Sequence, residues 1–166
     1  MAFEIPADLD AALVPLAWLI GHWEGGGNGR WPDGTDFVYA ATIDFTHIGQ
    51  PWLHYYMQLF EIDDKGRPLR PLVMEDGFWR PQPDNGLEVV VAQPEGVAEI
   101  YYGVVNGATI ELRTDAVVRT ETASVAATGG HRLYGGVEHD LCFAWDRGTA
   151  TTDIQPYLWA RLGRLG

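Results

Sequence analysis

Five histidines (His22, His47, His54, His131 and His139), one cysteine (Cys142) and one serine (Ser124) are the side chains most able to ligate a metal or attack a carbonyl. No two of these histidines stand two or four residues apart, the spacings that bring two imidazoles to one face, so a histidine metal pair is not expected. Ser124 has no Gly-x-Ser-x-Gly elbow around it, which argues against hydrolase chemistry. Cys142, between Leu141 and Phe143, reads as an inert buried thiol, and Met57 and Met74 as gap-fillers or soft pocket liners. The segment Gly21-His-Trp23-Glu-Gly25-Gly-Gly27-Asn-Gly29 is rich in glycine, but no strand precedes it and no helix follows it, so it is no phosphate cradle. In a strand, such glycines let a neighbouring backbone or a ligand come close, and Trp23 is placed to plug one end of a barrel.

The elements that must position these residues are almost all strands. One helix is expected over residues 7–20, opened by Pro6 and closed by Gly21, with Leu9, Leu13, Leu16 and Ile20 on one stripe. Beyond it the apolar period becomes two. Strands are expected near residues 23–29, 37–46, 52–62, 72–80, 87–93, 98–105, 109–116, 123–133, 140–146 and 155–162. Asp64-Lys-Gly66, Asp84-Asn-Gly86, Pro94-Glu-Gly96 and Asn106-Gly107 supply turn chemistry between them, so hairpin follows hairpin. Ten sequential antiparallel strands leave two open edges unless the sheet closes, which favours an all-β, up-and-down barrel over a sandwich. A barrel of that size can enclose a ligand-sized cavity. No linker or repeat divides residues 1–166, so one domain is expected.

Composition narrows the function. With 46% hydrophobic and 12% aromatic residues the chain folds, and a formal net charge of -12 makes nucleic acid and anionic membrane surfaces poor partners. The longest apolar run, residues 11–20, is about half of a membrane span. A single cysteine forms no internal disulfide, and the start Met-Ala-Phe-Glu-Ile-Pro lacks the regions of a signal peptide, so a cytoplasmic location is expected.

Gly21-x-Trp23-x-Gly25-x-Gly27 resembles the GxWxGxG motif of the nitrobindin family, the THAP-type haem-binding barrels related in shape to lipocalins and fatty-acid-binding proteins. Phe45-x-His47-x-Gly49-x-Pro51, Gly77-Phe-Trp-Arg80, the stretch from Val89 through Pro94-x-Gly96 to Glu99, and Leu158-x-Ala160-x-Leu162 resemble further family segments in order along the whole chain. The resemblance implies a ten-stranded barrel holding haem b near its mouth, with a last-strand histidine on the ferric iron. It also implies conversion of peroxynitrite to nitrate, or nitric oxide binding.

The sequence departs from that pattern where the iron ligand should stand. The family's axial histidine position corresponds to Tyr157, whose phenol, with an ordinary pKa near 10, must lose a proton before it ligates. Ferric tyrosinate usually has an arginine at its side, and Arg161, four residues on and about 13 Å away in an extended chain, is too distant to serve. By the same resemblance Ser124 replaces a lysine near a propionate, Asp33 replaces a threonine, and Val73 and Met74 replace a histidine segment. His54, among Trp52, Tyr55 and Tyr56, would reach an iron from the other side if it faced the cavity. The leading expectation is therefore a barrel that binds a small apolar molecule and has weak or no haem binding. The alternative is a haem b peroxynitrite isomerase or nitric oxide binder with Tyr157 as metal ligand. A third reading is a partner-binding barrel plugged by Trp79 and Trp159 that forms a homodimer through a barrel face.

Overall fold

The computed structural model describes residues 4–166; Met1, Ala2 and Phe3 of the opening segment lie outside the described residues. Ten strands follow one another: β1 Gly21–Arg30, β2 Asp36–Thr46, β3 Leu53–Ile62, β4 Pro68–Pro81, β5 Gly86–Gln93, β6 Val97–Asn106, β7 Thr109–Arg119, β8 Ala127–Val137, β9 Asp140–Thr149 and β10 Thr152–Leu165. Each pairs antiparallel with its sequence neighbours, and β1 pairs with β10, from His22↔Leu165 to Gly29↔Leu158, so the barrel is closed. Closure satisfies the edge groups that an open ten-stranded sheet would expose. The inward register is legible strand by strand: Tyr39, Ala41, Ile43 and Phe45 of β2 are buried while their neighbours are not.

The single helix differs from the sequence expectation in start and type. It is a 3-10 helix over Ala11–Leu19, capped by Asp10, whose carboxylate accepts from the Ala12 N–H at 2.9 Å. Pro15, inside it, has no N–H to give an α-helical ladder. The three-residue period instead aligns Leu13, Leu16 and Leu19, all 0% exposed, on the face that closes one end of the barrel, whereas Leu9 and Ile20 are only partly buried. Trp23 plugs that end: its indole N–H donates to the Leu19 carbonyl at 2.7 Å, and the Arg164 guanidinium lies 4.3 Å above its ring. Among the described residues no helix is long and apolar enough to cross a membrane.

β8 starts at Ala127 rather than 123. Residues 120–124 are tied instead to the β5–β6 turn, with Thr120 N–H donating to Gly96 O at 2.9 Å and Ser124 N–H to Glu95 O at 3.0 Å. The β7–β8 ladder covers only Thr109–Arg113 against Gly135–His131. Above it Thr114 Oγ1 holds Gly130, accepting from its N–H at 2.7 Å and donating to its carbonyl at 3.1 Å. Cys142, expected in the core, lies half-buried on the outer wall opposite Arg161, and Trp159 is also outside, 37% exposed; only Trp79 of the two expected plugs is in the core.

One irregularity positions the site. In the β9–β10 ladder Pro156 pairs with Asp146 and Leu158 with Trp145, leaving Tyr157 as the extra residue of a β-bulge. Strict alternation would put Tyr157 and Leu158 on opposite faces; the bulge buries both, at 5% and 1% exposure.

Candidate functional site

The end opposite the helix is formed by the β1–β2, β3–β4, β5–β6, β7–β8 and β9–β10 turns, and the bulge delivers Tyr157 just below it. Its ring packs edge-on against Trp145, centroids 5.3 Å apart, and 6.4 Å from both Trp31 and Phe37, which stack on each other at 4.3 Å. Phe37 reaches this position because Gly29 on β1 has no side chain: a Cβ there would lie 2.1 Å from the ring. Arg70 covers the outer side of Trp31, 5.6 Å from its centroid. The Tyr39 hydroxyl and the Trp145 indole N–H, both buried in this cluster, have no hydrogen-bond partner among the described residues.

Arg147 is the arginine at Tyr157's side. It occupies the inward register of β9 above Phe143 and Trp145, opposite Gln155, and its guanidinium lies 3.8 Å over the Tyr157 ring. Arg161, by contrast, faces outward and is held by Asp140 at 2.6 Å and Glu138 at 3.0 Å. Burial pushes the Tyr157 phenol above its ordinary range, and the charge and hydrogen bonding of Arg147 pull it down without offsetting that burial. The phenol is therefore neutral at physiological pH.

Below the aromatic cluster a charged bar crosses the lumen. Arg132 on β8 donates to Glu75 on β4 through two nitrogens, at 2.6 and 2.7 Å, and to Glu99 on β6 at 3.4 Å; the three are 3%, 0% and 2% exposed. Gln93 and Tyr55 also donate to Glu75, at 2.6 and 2.9 Å, and Tyr101 donates to Glu99 at 2.6 Å. The Arg132 guanidinium lies flat on Trp145, 3.9 Å from its ring, so bar and mouth share a wall.

The two carboxylates respond oppositely. Burial alone would lift Glu75, but the Arg132 charge and three hydrogen-bond donors hold it below the ordinary range; burial dominates at Glu99 and raises it. The folded protein thus keeps the Glu99 proton at pH values above 4.5, where the unfolded chain has lost it, and this group's contribution falls as pH rises through that window. Glu99→Gln is expected to remove the decline, so that the variant's urea midpoint drops less than the wild type's between about pH 5 and about pH 8.

The other residues singled out in the sequence are dispersed. Val73 lines the lumen one inward step above Glu75. Met74, next to it, points outward and is 36% exposed, so it lines no pocket. His54 is likewise on the outer face, paired with Asp76 at 2.6 Å beside Phe78, because Leu53 and Tyr55 take the inward positions of β3. Asp33 and Ser124 sit in mouth-side connections, both exposed. The Asp33 carboxylate is taken up by the Thr35 N–H and hydroxyl, at 2.9 and 2.6 Å. Gly21, Gly25 and Gly27 run along β1, with Gly25 and Gly27 against the β10 backbone. Arg147, Arg132, Glu75 and Glu99 were missed. The signal for the last three is a charge at a core register, as in Val73-x-Glu75-x-Gly77-x-Trp79; for Arg147 it exists only across strands.

A closed ten-stranded antiparallel barrel with a packed floor and an aromatic, arginine-bearing mouth defines an up-and-down β-barrel protein. The match of residues 12–164 to the model of the THAP4-like, heme-binding beta-barrel domain is more specific, and the chain belongs to that family. It is 53% identical to a ferric nitrobindin-like protein of Cutibacterium acnes over 99% of both chains. It is also 43% identical to a peroxynitrite isomerase of Nocardioides sp., again over 99% of each. The crystal structure of Rv2717c from M. tuberculosis superposes with a TM-score of 0.83 at 32% identity, covering 95% of this chain and 99% of that one.

Proposed function

We propose that this barrel binds a small apolar molecule at its mouth and has lost the tight haem binding of its family. The observation that carries the reading is the packing of Tyr157: the residue that the resemblance puts in the place of the iron ligand is wedged among Trp31, Phe37 and Trp145. The cavity beside it measures about 10 Å³, and in this arrangement the mouth residues do not fit a haem b. The same rings offer an apolar ligand a wall of Trp, Phe and Tyr, closed on the outside by Trp31, which is only partly buried.

The test is a hemin titration followed at the Soret band with wild type, Tyr157→Phe and Tyr157→His, beside a decanol titration followed by tryptophan emission. None of the three proteins is expected to form a stoichiometric ferric complex, because histidine alone does not clear Trp31 and Phe37 from the mouth; decanol is expected to saturate. Stoichiometric hemin binding with a tyrosinate spectrum that Tyr157→Phe abolishes, or no saturable decanol response, overturns the reading.

A second reading, a haem b peroxynitrite isomerase with Tyr157 as ligand, is favoured by one observation. Arg147 stands 3.8 Å from the Tyr157 ring and lowers the cost of deprotonating its phenol. The relative named peroxynitrite isomerase lends it support.

A further inference from the structure

Arg147 is an anomaly in a chain with 23 acidic and 11 basic residues. Arg30, Arg67, Arg70, Arg80, Arg113, Arg132 and Arg161 sit in ion pairs, whereas Arg147, half-buried and turned into the mouth, bonds to the neutral Tyr157 phenol and has no described carboxylate within 4 Å. Glu75 and Glu99, the acidic groups below it in the lumen, are already bound by Arg132. A half-buried guanidinium is expected to find an anion or to stay wet. Beside it, with the guanidinium 5.8 Å from the ring, the buried Trp145 indole N–H has no hydrogen-bond partner among the described residues. The small cavity there is lined by Arg147, Gln155, Thr149 and Thr152 together with Pro32, Pro156 and Tyr157. A polar, cationic corner thus adjoins an apolar wall.

Building on the lumen-binding reading above, we infer that the ligand is an amphipathic monocarboxylate, its head anchored on Arg147 and its apolar body replacing the Trp31–Phe37 stack against Tyr157. A carboxylate matches the guanidinium fork with two parallel hydrogen bonds. An apolar tail of several methylenes buries its own surface against Tyr157 and so replaces the contact that Trp31 and Phe37 give up. The protein's overall field opposes an anion, since the formal net charge is -12, so a preference for the charged ligand has to come from a local cation.

The experiment compares decanoate with decanol, equal in chain length, by calorimetric titration of the full chain, with Arg147→Met, Arg147→Lys and the exposed control Arg113→Gln. Wild type and Arg113→Gln are expected to bind decanoate at least about tenfold more tightly than decanol, a difference of about 1.4 kcal/mol. Arg147→Met is expected to bind decanoate no more tightly than decanol, and Arg147→Lys to retain part of the preference. Equal affinities in wild type, or an undiminished preference in Arg147→Met, overturn the anchor and leave the lumen-binding reading standing. Failure of both molecules to bind wild type overturns that reading and the anchor with it. If Arg147→Met does not fold, the Arg147→Lys protein decides: a preference equal to wild type's also counts against the bidentate anchor.

Discussion

Replacing Arg132 with methionine is expected to cost about 3–5 kcal/mol of folding free energy, the range for breaking a buried ion pair from one side. The loss is large because Glu75 is 0% exposed and takes two of its four hydrogen bonds from this one guanidinium, while Glu99 shares it at 3.4 Å. Without Arg132 the burial that now opposes ionisation of Glu75 is no longer overcome, so the folded carboxyl's pKa moves from below the ordinary range to above it. The pH response of that group then reverses. In wild type its contribution is present above the ordinary carboxylate range and is lost on acidification; in the variant, stability falls as pH rises toward neutrality. Adding Glu75→Gln to Arg132→Met should recover most of the loss, since an amide keeps the bonds to Tyr55 and needs no counter-charge. Urea midpoints of the single and double variants at two pH values decide it. A single variant within about 1 kcal/mol of wild type would mean that the bar contributes no more than the packing of its side chains.

The second large effect is expected at Gly25. A Cβ at that position would lie 2.3 Å from the Arg161 carbonyl oxygen and 2.8 Å from the Leu162 Cα, both backbone atoms of β10 that no rotamer change can move. Gly25→Ala therefore has to push β1 away from β10 across the seam that closes the barrel. The cost should reach or exceed the upper end of the roughly 1–3 kcal/mol of an overpacked site, or a melting temperature lower by about 6–12 °C. Gly26→Ala is the matched control: its Cβ would meet only the Tyr39 carbonyl, at 3.4 Å, and the melting temperature should stay near wild type. Equal losses at the two positions would show that the approach of β10 is not what sets the cost at Gly25, since the lower entropy of the unfolded alanine chain by itself favours the fold.

These two sites divide differently between sequence and structure. Gly25 belongs to a spaced glycine motif in a segment of alternating character, and its use as a place of close backbone approach follows from the absence of a Cβ. The strand count, the antiparallel order and barrel closure followed likewise from turn residues and a period of two. Where the structure differs from the sequence expectation, the cause is local in the helix and longer-range in the strands. Pro15 and the three-residue spacing of Leu13, Leu16 and Leu19 convert the expected α-helix to a 3-10 helix. The β5–β6 turn captures the backbone of residues 120–124 and delays β8. The outward turn of His54 and Met74 follows from which of two adjacent residues takes the inward register, and an aromatic run such as Trp52 to Tyr56 does not announce that choice.

By itself, then, the sequence pointed to a closed ten-stranded barrel, and its resemblance to the family singled out Tyr157 as the residue expected where an iron ligand would stand. Only the tertiary structure decided what surrounds that residue. A one-residue bulge between Pro156 and Leu158 rotates Tyr157 inward, and the register it creates sets Arg147 of the neighbouring strand on its ring. Both depend on pairing between strands, a property of two segments at once that local spacing does not encode.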